Sequence, residues 1–282
     1  MSVTVQQVVD AVERWAPPIL ALENDKIGLQ MGRLNRPVRR VWLALDPSPT
    51  VVEEAVTQKA DMLLTHHAML FHPLRRIDTA TARGRAIALA LTHDLTVYNA
   101  HTNLDVAPGG VNDVLTQLLH LHDAKVLDVT YQERTHIDEK KTENAHRQPT
   151  VKEFGMGRIG NLGTPVSLAT FADFVRNVLE LSGIRYAGDP EFMVNRVAVV
   201  GGSGGRWTQQ AILKGADVMV TADCDHHTMA EAWQDGLAMV DATHAAMERP
   251  VLKWLQQQLQ HEFGDALQVI ISEVVEDPYR WG

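Results

Sequence analysis

Short apolar runs and amphipathic stretches take turns along the first part of the chain. Apolar runs at 40–46, 61–65 and 95–100 predict buried strands. Amphipathic segments at 49–58 and 81–92 predict helices between them. This alternation of strand and helix is typical of a largely parallel sheet whose crossovers are helical.

The second part of the chain repeats the pattern. Ser167 is expected to cap a helix over 168–181, and apolar runs at 196–200, 217–221 and 237–240 predict further strands. Two of the predicted strands have similar sequences, since 60–65 reads Ala-Asp-Met-Leu-Leu-Thr and 216–221 reads Ala-Asp-Val-Met-Val-Thr. The sequence therefore predicts an α/β protein with two related halves and mixed, mostly parallel sheets, although buried strands can also match by chance.

A polar stretch separates the two halves. Residues 132–150 contain almost no apolar side chains and mix both signs of charge. Such a stretch can bury little surface, so it is expected to form an exposed loop. The predicted organisation is a first half at 1–131, the loop at 132–150 and a second half at 151–282.

Composition and charge narrow the function classes. The chain has 282 residues, with 26 Lys and Arg against 35 Asp and Glu, for a formal charge of −9. This balance argues against a nucleic-acid groove. The single cysteine, Cys224, excludes a disulfide framework and a thiolate zinc cluster, which favours a reducing, cytoplasmic location. No apolar run approaches bilayer length, so no membrane partner is expected.

Two glycine-rich segments do not fit the nucleotide motifs that they resemble. Residues 155–160 match G-x-G-x-x-G, but a polar stretch precedes them and no helix follows at once, so no dinucleotide site is expected. Residues 201–205 form a turn rich in backbone amides, yet the chain continues Arg206-Trp207-Thr208 instead of Lys-Ser/Thr. Close packing is the simpler explanation for these glycines.

Histidines and carboxylates collect at the ends of predicted strands. His66 and His67 follow the strand at 61–65, and Asp105 lies just past the strand at 95–100. His244 and Glu248 follow a third strand and are four residues apart, so they share one face of a helix. Ligands of α/β sheets gather beyond the carboxyl ends of strands, and imidazole is the commonest metal ligand.

Each of these residues also has an explanation without a metal. The histidine pair could cap a strand at the surface, Asp105 could cap a turn or helix, and His244 with Glu248 could form a solvated pair. His101 could bind a metal directly, hold one of the ligands in position, or simply be buried. If the strand ends meet, however, three imidazoles and two carboxylates suit two zinc, iron, manganese or nickel ions. Such a site would keep a positive charge of about +2, which would attract phosphate or another anion.

The order of these motifs resembles the GTP cyclohydrolase I type 2-like family, also known as NGG-interacting-factor-like dinuclear-metal proteins. The resemblance rests on five segments in this order. The first is Thr65-His66-His67 followed by 71–74, and the second is His101-Thr102-Asn103-Leu104-Asp105 followed by 109–113. The others are 157–160, 202–204, and 216–221 leading to His244 and Glu248. It implies that His66, His67, Asp105, His244 and Glu248 hold two metal ions, with Asp105 or Glu248 bridging. It also implies two intertwined halves with the metals between them, and a homohexamer.

The chain departs from the family pattern at three places. The usual Trp-Asp-Asn-x-Gly-Leu stands here as Asn24-Asp25-Lys26-Ile27-Gly28-Leu29, and the usual Thr-Gly is Thr221-Ala222. The large inserted domain of longer members is absent, and 132–150 is expected to lie near its place.

The expected activity is metal-dependent hydrolysis of a small anionic substrate such as GTP or another nucleotide. The family name implies opening of the guanine ring of GTP, and phosphoester hydrolysis fits the same chemistry. His101 or His227 is predicted to act as general acid and base or to support a ligand. The alternative is a protein that stores, delivers or senses metal without turnover.

Overall fold

Eleven strands form two mixed sheets in the computed structural model, which describes residues 2–134, 150–274 and 277–281. The described strands are β1 (Gly28–Met31), β2 (Arg40–Ala44), β3 (Met62–Thr65), β4 (Thr96–Asn99), β5 (His122–Arg134), β6 (Val151–Ser167), β7 (Arg185–Ala187), β8 (Met193–Ser203), β9 (Val218–Ala222), β10 (Ala238–Asp241) and β11 (Gln268–Ile271).

Both sheets have a parallel centre and antiparallel partners. The first sheet has the order β1-β4-β3-β2-β11, in which only β1 pairs antiparallel. The second has the order β5-β6-β8-β9-β10-β7, with β8, β9 and β10 parallel and the outer pairings antiparallel. The predicted α/β class with mixed sheets is confirmed.

Helices connect the parallel strands and cover the sheets. Those in the described part of the chain are α1 (Val5–Trp15), α2 (Pro49–Thr57), α3 (Ala82–Thr92), α4 (Thr102–Val106), α5 (Val111–Leu118), α6 (Leu168–Val178), α7 (Thr208–Leu213), α8 (His226–Gln234), α9 (His244–Glu248) and α10 (Pro250–Phe263). Short 3-10 turns occupy Pro18–Leu20, Gly205–Trp207 and Gly264–Ala266. Within the described ranges, no helix combines the length and the apolar character needed to cross a bilayer.

The two sheets share elements across the polar stretch. Strand β5 precedes that stretch but pairs with β6 in the second sheet, whereas β11, near the end of the chain, pairs with β2 in the first. The prediction of a loop beginning at residue 132 is wrong at its start, because residues 132–134 continue β5 and pair with residues 151–153 of β6. The middle of the predicted loop, 135–149, lies outside the described residues.

The similar strand sequences occupy equivalent positions in the two sheets. Asp61 precedes β3, and its Oδ2 accepts hydrogen bonds from the amides of Arg39 and Arg40. Asp217 precedes β9, and its Oδ2 accepts from the amides of Asn195 and Arg196. In both sheets the carboxylate therefore binds two consecutive amides at or beside the neighbouring parallel strand.

A continuous apolar core joins the sheets. Leu43 and Leu64 from the first sheet belong to the same buried cluster as Val199 and Val220 from the second. The 155–160 motif lies inside β6, between β5 and β8. The core therefore holds the ends of β3, β4 and β10 in a fixed relation, which is the condition for a site built from several strand ends.

Candidate metal centre

A tight turn after β3 brings two consecutive histidines to one place. Neighbouring side chains on a strand point to opposite faces, so the chain must bend for both to converge. The Thr65 hydroxyl donates to the His67 carbonyl at 2.7 Å, and the amides of His66 and His67 donate to the carbonyls of Ala44 and Leu45. These bonds hold the backbone of both histidines beside the end of β2.

Two short helices supply the carboxylates. Asp105 lies in the last turn of the five-residue helix α4, and Glu248 ends α9; both residues are buried, with 4% and 3% of their surface exposed. His244 begins α9, and its Nε2 lies 3.1 Å from Glu248 Oε2. The predicted pairing of these two residues across one helical turn is therefore observed.

The side chains meet around Glu248. His67 Nε2 lies 3.0 Å from Glu248 Oε2, and His66 Nε2 lies 3.6 Å from Glu248 Oε1. His66 Nε2 is also 3.5 Å from Asp105 Oδ1, and His67 Nε2 is 3.3 Å from His244 Nε2. All five residues named from the sequence as ligands thus converge.

The converging nitrogen and oxygen atoms are better suited to binding a metal ion than to hydrogen bonding with one another. His66 Nε2 and Asp105 Oδ1 are buried and, among the described residues, make no hydrogen bond, while Glu248 Oε2 is buried against the Nε2 atoms of His67 and His244. Buried polar atoms normally have a hydrogen-bond partner, so atoms without one indicate a site for a ligand. Donor atoms lie within 4.8 Å of one another in three overlapping sets: His66, His67 and His101; His67, His244 and Glu248; and His66, Asp105 and Glu248.

Each imidazole is fixed by a partner on its other nitrogen. The Nδ1 atoms of His67, His244 and His101 lie 2.9, 2.7 and 2.8 Å from carboxylates of Asp46, Asp223 and Asp25, and Nδ1 of His66 lies 3.0 Å from the Ala100 carbonyl. An acceptor at Nδ1 places the proton there and leaves Nε2 as the atom able to coordinate a metal.

The clustered residues shift one another's pKa values. Burial disfavours the charged forms of His67 and His244, but hydrogen bonds to Glu248 and to Asp46 or Asp223 outweigh it and raise the pKa values to about 10 and about 9. Burial and the neighbouring charge of Glu248 raise the pKa of Asp105 to about 8. Burial also acts on Glu248, but the surrounding imidazoles hold its pKa well below the usual range.

These shifts predict opposite effects of pH on folding and on metal uptake. The unfolded histidines lose their protons near pH 6.5, whereas folded His244 and His67 keep theirs until about 9 and about 10. The raised pKa values therefore stabilise the chelator-treated protein fully below pH 6.5, and this contribution is lost as the pH rises through about 9 for His244 and about 10 for His67. The raised pKa of Asp105 acts on stability in the same direction.

We expect the Tm of chelator-treated protein to fall by at least about 3 °C between pH 6.5 and 9, while zinc affinity rises. Differential scanning fluorimetry and zinc titration across this range provide the measurement. A Tm that rises over the same window would contradict the protonation pattern.

Gly202 leaves room for the cluster. A Cβ at this position would lie 2.2 Å from Glu248 Oε1 and 3.1 Å from His244 Nε2, and its φ of +66° disfavours other residues. The sequence analysis assigned the glycines at 201–205 to packing, and it did not place one of them against the ligands. Asp46 and Asp223 were also missed, although each follows a strand of the first or second sheet closely, as His66 follows β3.

The two histidines predicted as catalytic occupy different environments. His101 is part of the cluster, with its ring centroid 5.1 Å from that of His66 and 5.5 Å from that of His67. His227 lies exposed on α8 against the ring of His226, and it belongs to none of the three donor sets found in the described ranges. The structure therefore brings only His101 to the cluster.

The fold and the cluster together define an α/β protein with a histidine and carboxylate centre at its strand ends. The sequence model of the Duf34/NIF3 (NGG1p interacting factor 3) family matches residues 3–278. The chain belongs to this family, which confirms the resemblance seen in its motifs.

Curated relatives and a solved structure match nearly the whole chain. The chain is 31% identical to the GTP cyclohydrolase 1 type 2 homolog of Bacillus subtilis over 370 aligned positions, covering 99% of both proteins. It is 32% identical to the homolog of Streptomyces coelicolor, covering 98% of this chain and 93% of that protein. The Bacillus cereus protein related to NIF3 superposes with a TM-score of 0.92 at 29% identity, covering 100% and 99% of the two chains.

Proposed function

We propose that the protein is a metal-dependent hydrolase that acts on a nucleotide or a related anionic substrate. The observation that supports this proposal is the convergence of three imidazole Nε2 atoms on two buried carboxylates, Asp105 and Glu248. The ligands of two divalent ions would be His66, His67, Asp105, His244 and Glu248.

The donor set favours zinc, iron, manganese or nickel, because it combines imidazole and carboxylate without sulfur. When bound, such ions polarise a substrate oxygen and make water acidic enough to act as a nucleophile near neutral pH. Two ions would outweigh the charges of Asp105 and Glu248, so the site would attract an anion although the chain carries a formal charge of −9.

His101 is the group best placed to move a proton. Its Nδ1 lies 2.8 Å from Asp25 Oδ1, and this carboxylate also accepts from the Thr102 amide and hydroxyl. Hydrogen bonds to His101 and Thr102 overcome the effect of burial and lower the pKa of Asp25, which therefore stays ionised. A fixed, ionised partner at Nδ1 orients Nε2 of His101 toward the cluster as a proton acceptor or donor.

The substrate class follows from the names of the relatives and from the expected charge. Two homologues carry the name GTP cyclohydrolase 1 type 2 homolog, which supports GTP as the first substrate to test. Opening of a guanine ring and cleavage of a phosphoester both need an activated water and a proton donor. Simple phosphoesters are therefore the second substrates to test.

His101→Gln and His227→Gln separate the two predicted catalytic histidines. We expect His101→Gln to lower turnover by about 10²- to 10⁴-fold, which is the usual contribution of general acid and base catalysis. His227→Gln is expected to stay within about twofold of the wild type, because the side chain is exposed and outside the cluster. Steady-state kinetics with GTP and a phosphoester, with metal counted in each variant, provide the measurement. Equal losses in both variants would contradict the assignment.

A metal-handling protein is the alternative that the same assay distinguishes. Product formation at catalytic protein concentration supports the hydrolase. Exchangeable metal without product from GTP or phosphoesters would overturn it and favour storage, delivery or sensing. The homohexamer implied by the motifs stays a prediction that sedimentation velocity tests.

A further inference from the structure

A cavity lies beside the candidate metal centre, on the Nδ1 side of His244. Its volume is about 260 Å³. Four of its lining residues come from β7, β10 and the segments that follow β9 and β10, and the others come from the C-terminal segment: Arg185, Asp223, Asp241, Thr243, Tyr279, Arg280 and Trp281. The cavity and the metal centre share one wall, because Asp223 Oδ2 also binds His244 Nδ1 at 2.7 Å.

The C-terminal segment is held in place over the cavity. Thr243 donates from its hydroxyl to Asp277 Oδ2 at 2.8 Å, which ties the segment to the residue before His244. The indole of Trp281 lies against Gly183, where a Cβ would come within 2.5 Å of the ring. Trp281 and Tyr279 nevertheless stay 44% and 59% exposed, so both aromatic rings can accept a further contact.

Polar groups at the opposite wall have hydrogen-bonding capacity left. One guanidinium nitrogen of Arg185, Nη2, binds Asp241 Oδ2 and the Cys224 carbonyl, while its Nε and Nη1 make no hydrogen bond within the described residues. Among the residues that the structure describes, Asp223 hydrogen-bonds through Oδ2, to His244, and its side chain is 36% exposed. The wall thus offers N–H donors and a carboxylate acceptor next to aromatic rings.

We propose that this cavity binds the planar, N–H-bearing ring of a purine-class substrate and directs the rest of the molecule to the metal centre. Aromatic rings bind flat heterocycles by stacking, and a carboxylate beside a guanidinium complements a ring edge that carries both donors and acceptors. The proposal rests on the proposed function for the identity of the anionic portion.

The size and position of the cavity favour a ring over a whole nucleotide. Pockets for drug-sized ligands measure about 300–1,000 Å³, so about 260 Å³ suits a base with little of its sugar. The His244 side chain is 32% exposed between the cavity and the cluster. A ligand seated in the cavity can therefore extend along His244, which places its charged portion at the metal centre.

Calorimetric titration with three probes tests the proposal. The probes are GTP, guanosine, which has the ring without phosphates, and tripolyphosphate, which has phosphates without the ring. Trp281→Leu keeps an apolar side chain against Gly183 but removes the stacking ring. We expect it to weaken guanosine and GTP binding by about 5- to 100-fold, the range for loss of one base stack, with tripolyphosphate binding and metal content unchanged.

Tyr186→Leu is the matched control, since Tyr186 is a 38% exposed aromatic residue of β7 that does not line the cavity. Arg185→Gln is the second variant, and it should weaken guanosine binding without any change in the C-terminal segment. Absence of guanosine binding to the wild type, or equal binding by all three variants and the wild type, would overturn the proposal.

A failure of the proposed function would give a different experimental result from a failure of the ring site. Guanosine should bind with the same Kd to protein treated with a chelator, because the cavity contains none of the five proposed ligands. Guanosine binding that persists without metal uptake or turnover would reject the hydrolase and keep the ring site.

Discussion

Glu248→Gln is expected to lose most of the bound metal and at least about 100-fold of any turnover. The carboxylate is 3% exposed and lies within 3.6 Å of Nε2 atoms from His66, His67 and His244. A glutamine keeps the shape but replaces a negative oxygen with an amide nitrogen, which neither binds a cation nor accepts a hydrogen bond. Residues that only support metal ligands already cost about 10- to 100-fold in affinity when they are changed, so a central ligand should cost more.

Elemental analysis of purified protein measures this effect, with metal ions counted per chain. We expect about two ions in the wild type and fewer than one in Glu248→Gln. Glu231→Gln is the control, because Glu231 is an exposed glutamate on α8 outside the cluster. Wild-type metal content in Glu248→Gln after extensive dialysis would show that Glu248 is no ligand, and the assignment of the centre would then fail.

Gly202→Ala is expected to disrupt the centre without removing any ligand. The new Cβ would lie 2.2 Å from Glu248 Oε1, so the carboxylate must move away from the imidazoles. We expect at least a tenfold loss of metal affinity, with the fold retained. Zinc titration followed by competition with a chelator measures the change.

Gly215→Ala separates this clash from backbone strain. Gly215 has a φ of +72°, close to the +66° of Gly202, but a Cβ added there would have no neighbouring atom within 4 Å. Backbone strain alone should cost each variant about 1 kcal/mol of unfolding free energy, which is the cost of placing an L residue in the left-handed region. Only Gly202→Ala should lose metal. Equal metal affinities in the two variants would mean that Glu248 is not confined by Gly202.

Local patterns in the sequence were sufficient for most elements of the fold. Ser167 accepts from the Thr170 amide at the start of α6, as its position before the amphipathic segment predicted. The spacing of His244 and Glu248 was equally informative, because residues four apart in a helix always share a face. Interactions of this kind depend on neighbours in the chain, so a single sequence reveals them.

Long-range pairings could not be predicted in the same way. The apolar residues at 269–271 do not show that their partner is β2, more than 200 residues earlier, and the polar residues 132–134 gave no sign that they extend β5. Hydrogen bonding to β6 determines that extension, and it depends on register more than on side-chain polarity.

In the site, too, residues identified by local pattern could be predicted, and their distant partners could not. The ligands could be proposed from chemistry that concentrates at strand ends. The partners that hold the imidazoles could not, because Asp25 lies 76 positions from His101 and Asp46 lies 21 from His67. For Gly202, the signal was a glycine near a strand end, which also suits an ordinary turn.

The pairing of β11 with β2 has a consequence for synthesis on the ribosome. When residues 40–44 emerge, the strand that will cover one edge of β2 is still more than 200 residues from being made. Until β11 is made, one edge of β2 has no neighbouring strand. Contacts of such long sequence separation form slowly. His244 and Glu248 also emerge after the first sheet's other ligands, so the cluster is completed only once residue 248 has been made. A chain released before this point would expose an unpaired strand edge and an incomplete set of the clustered histidines and carboxylates together.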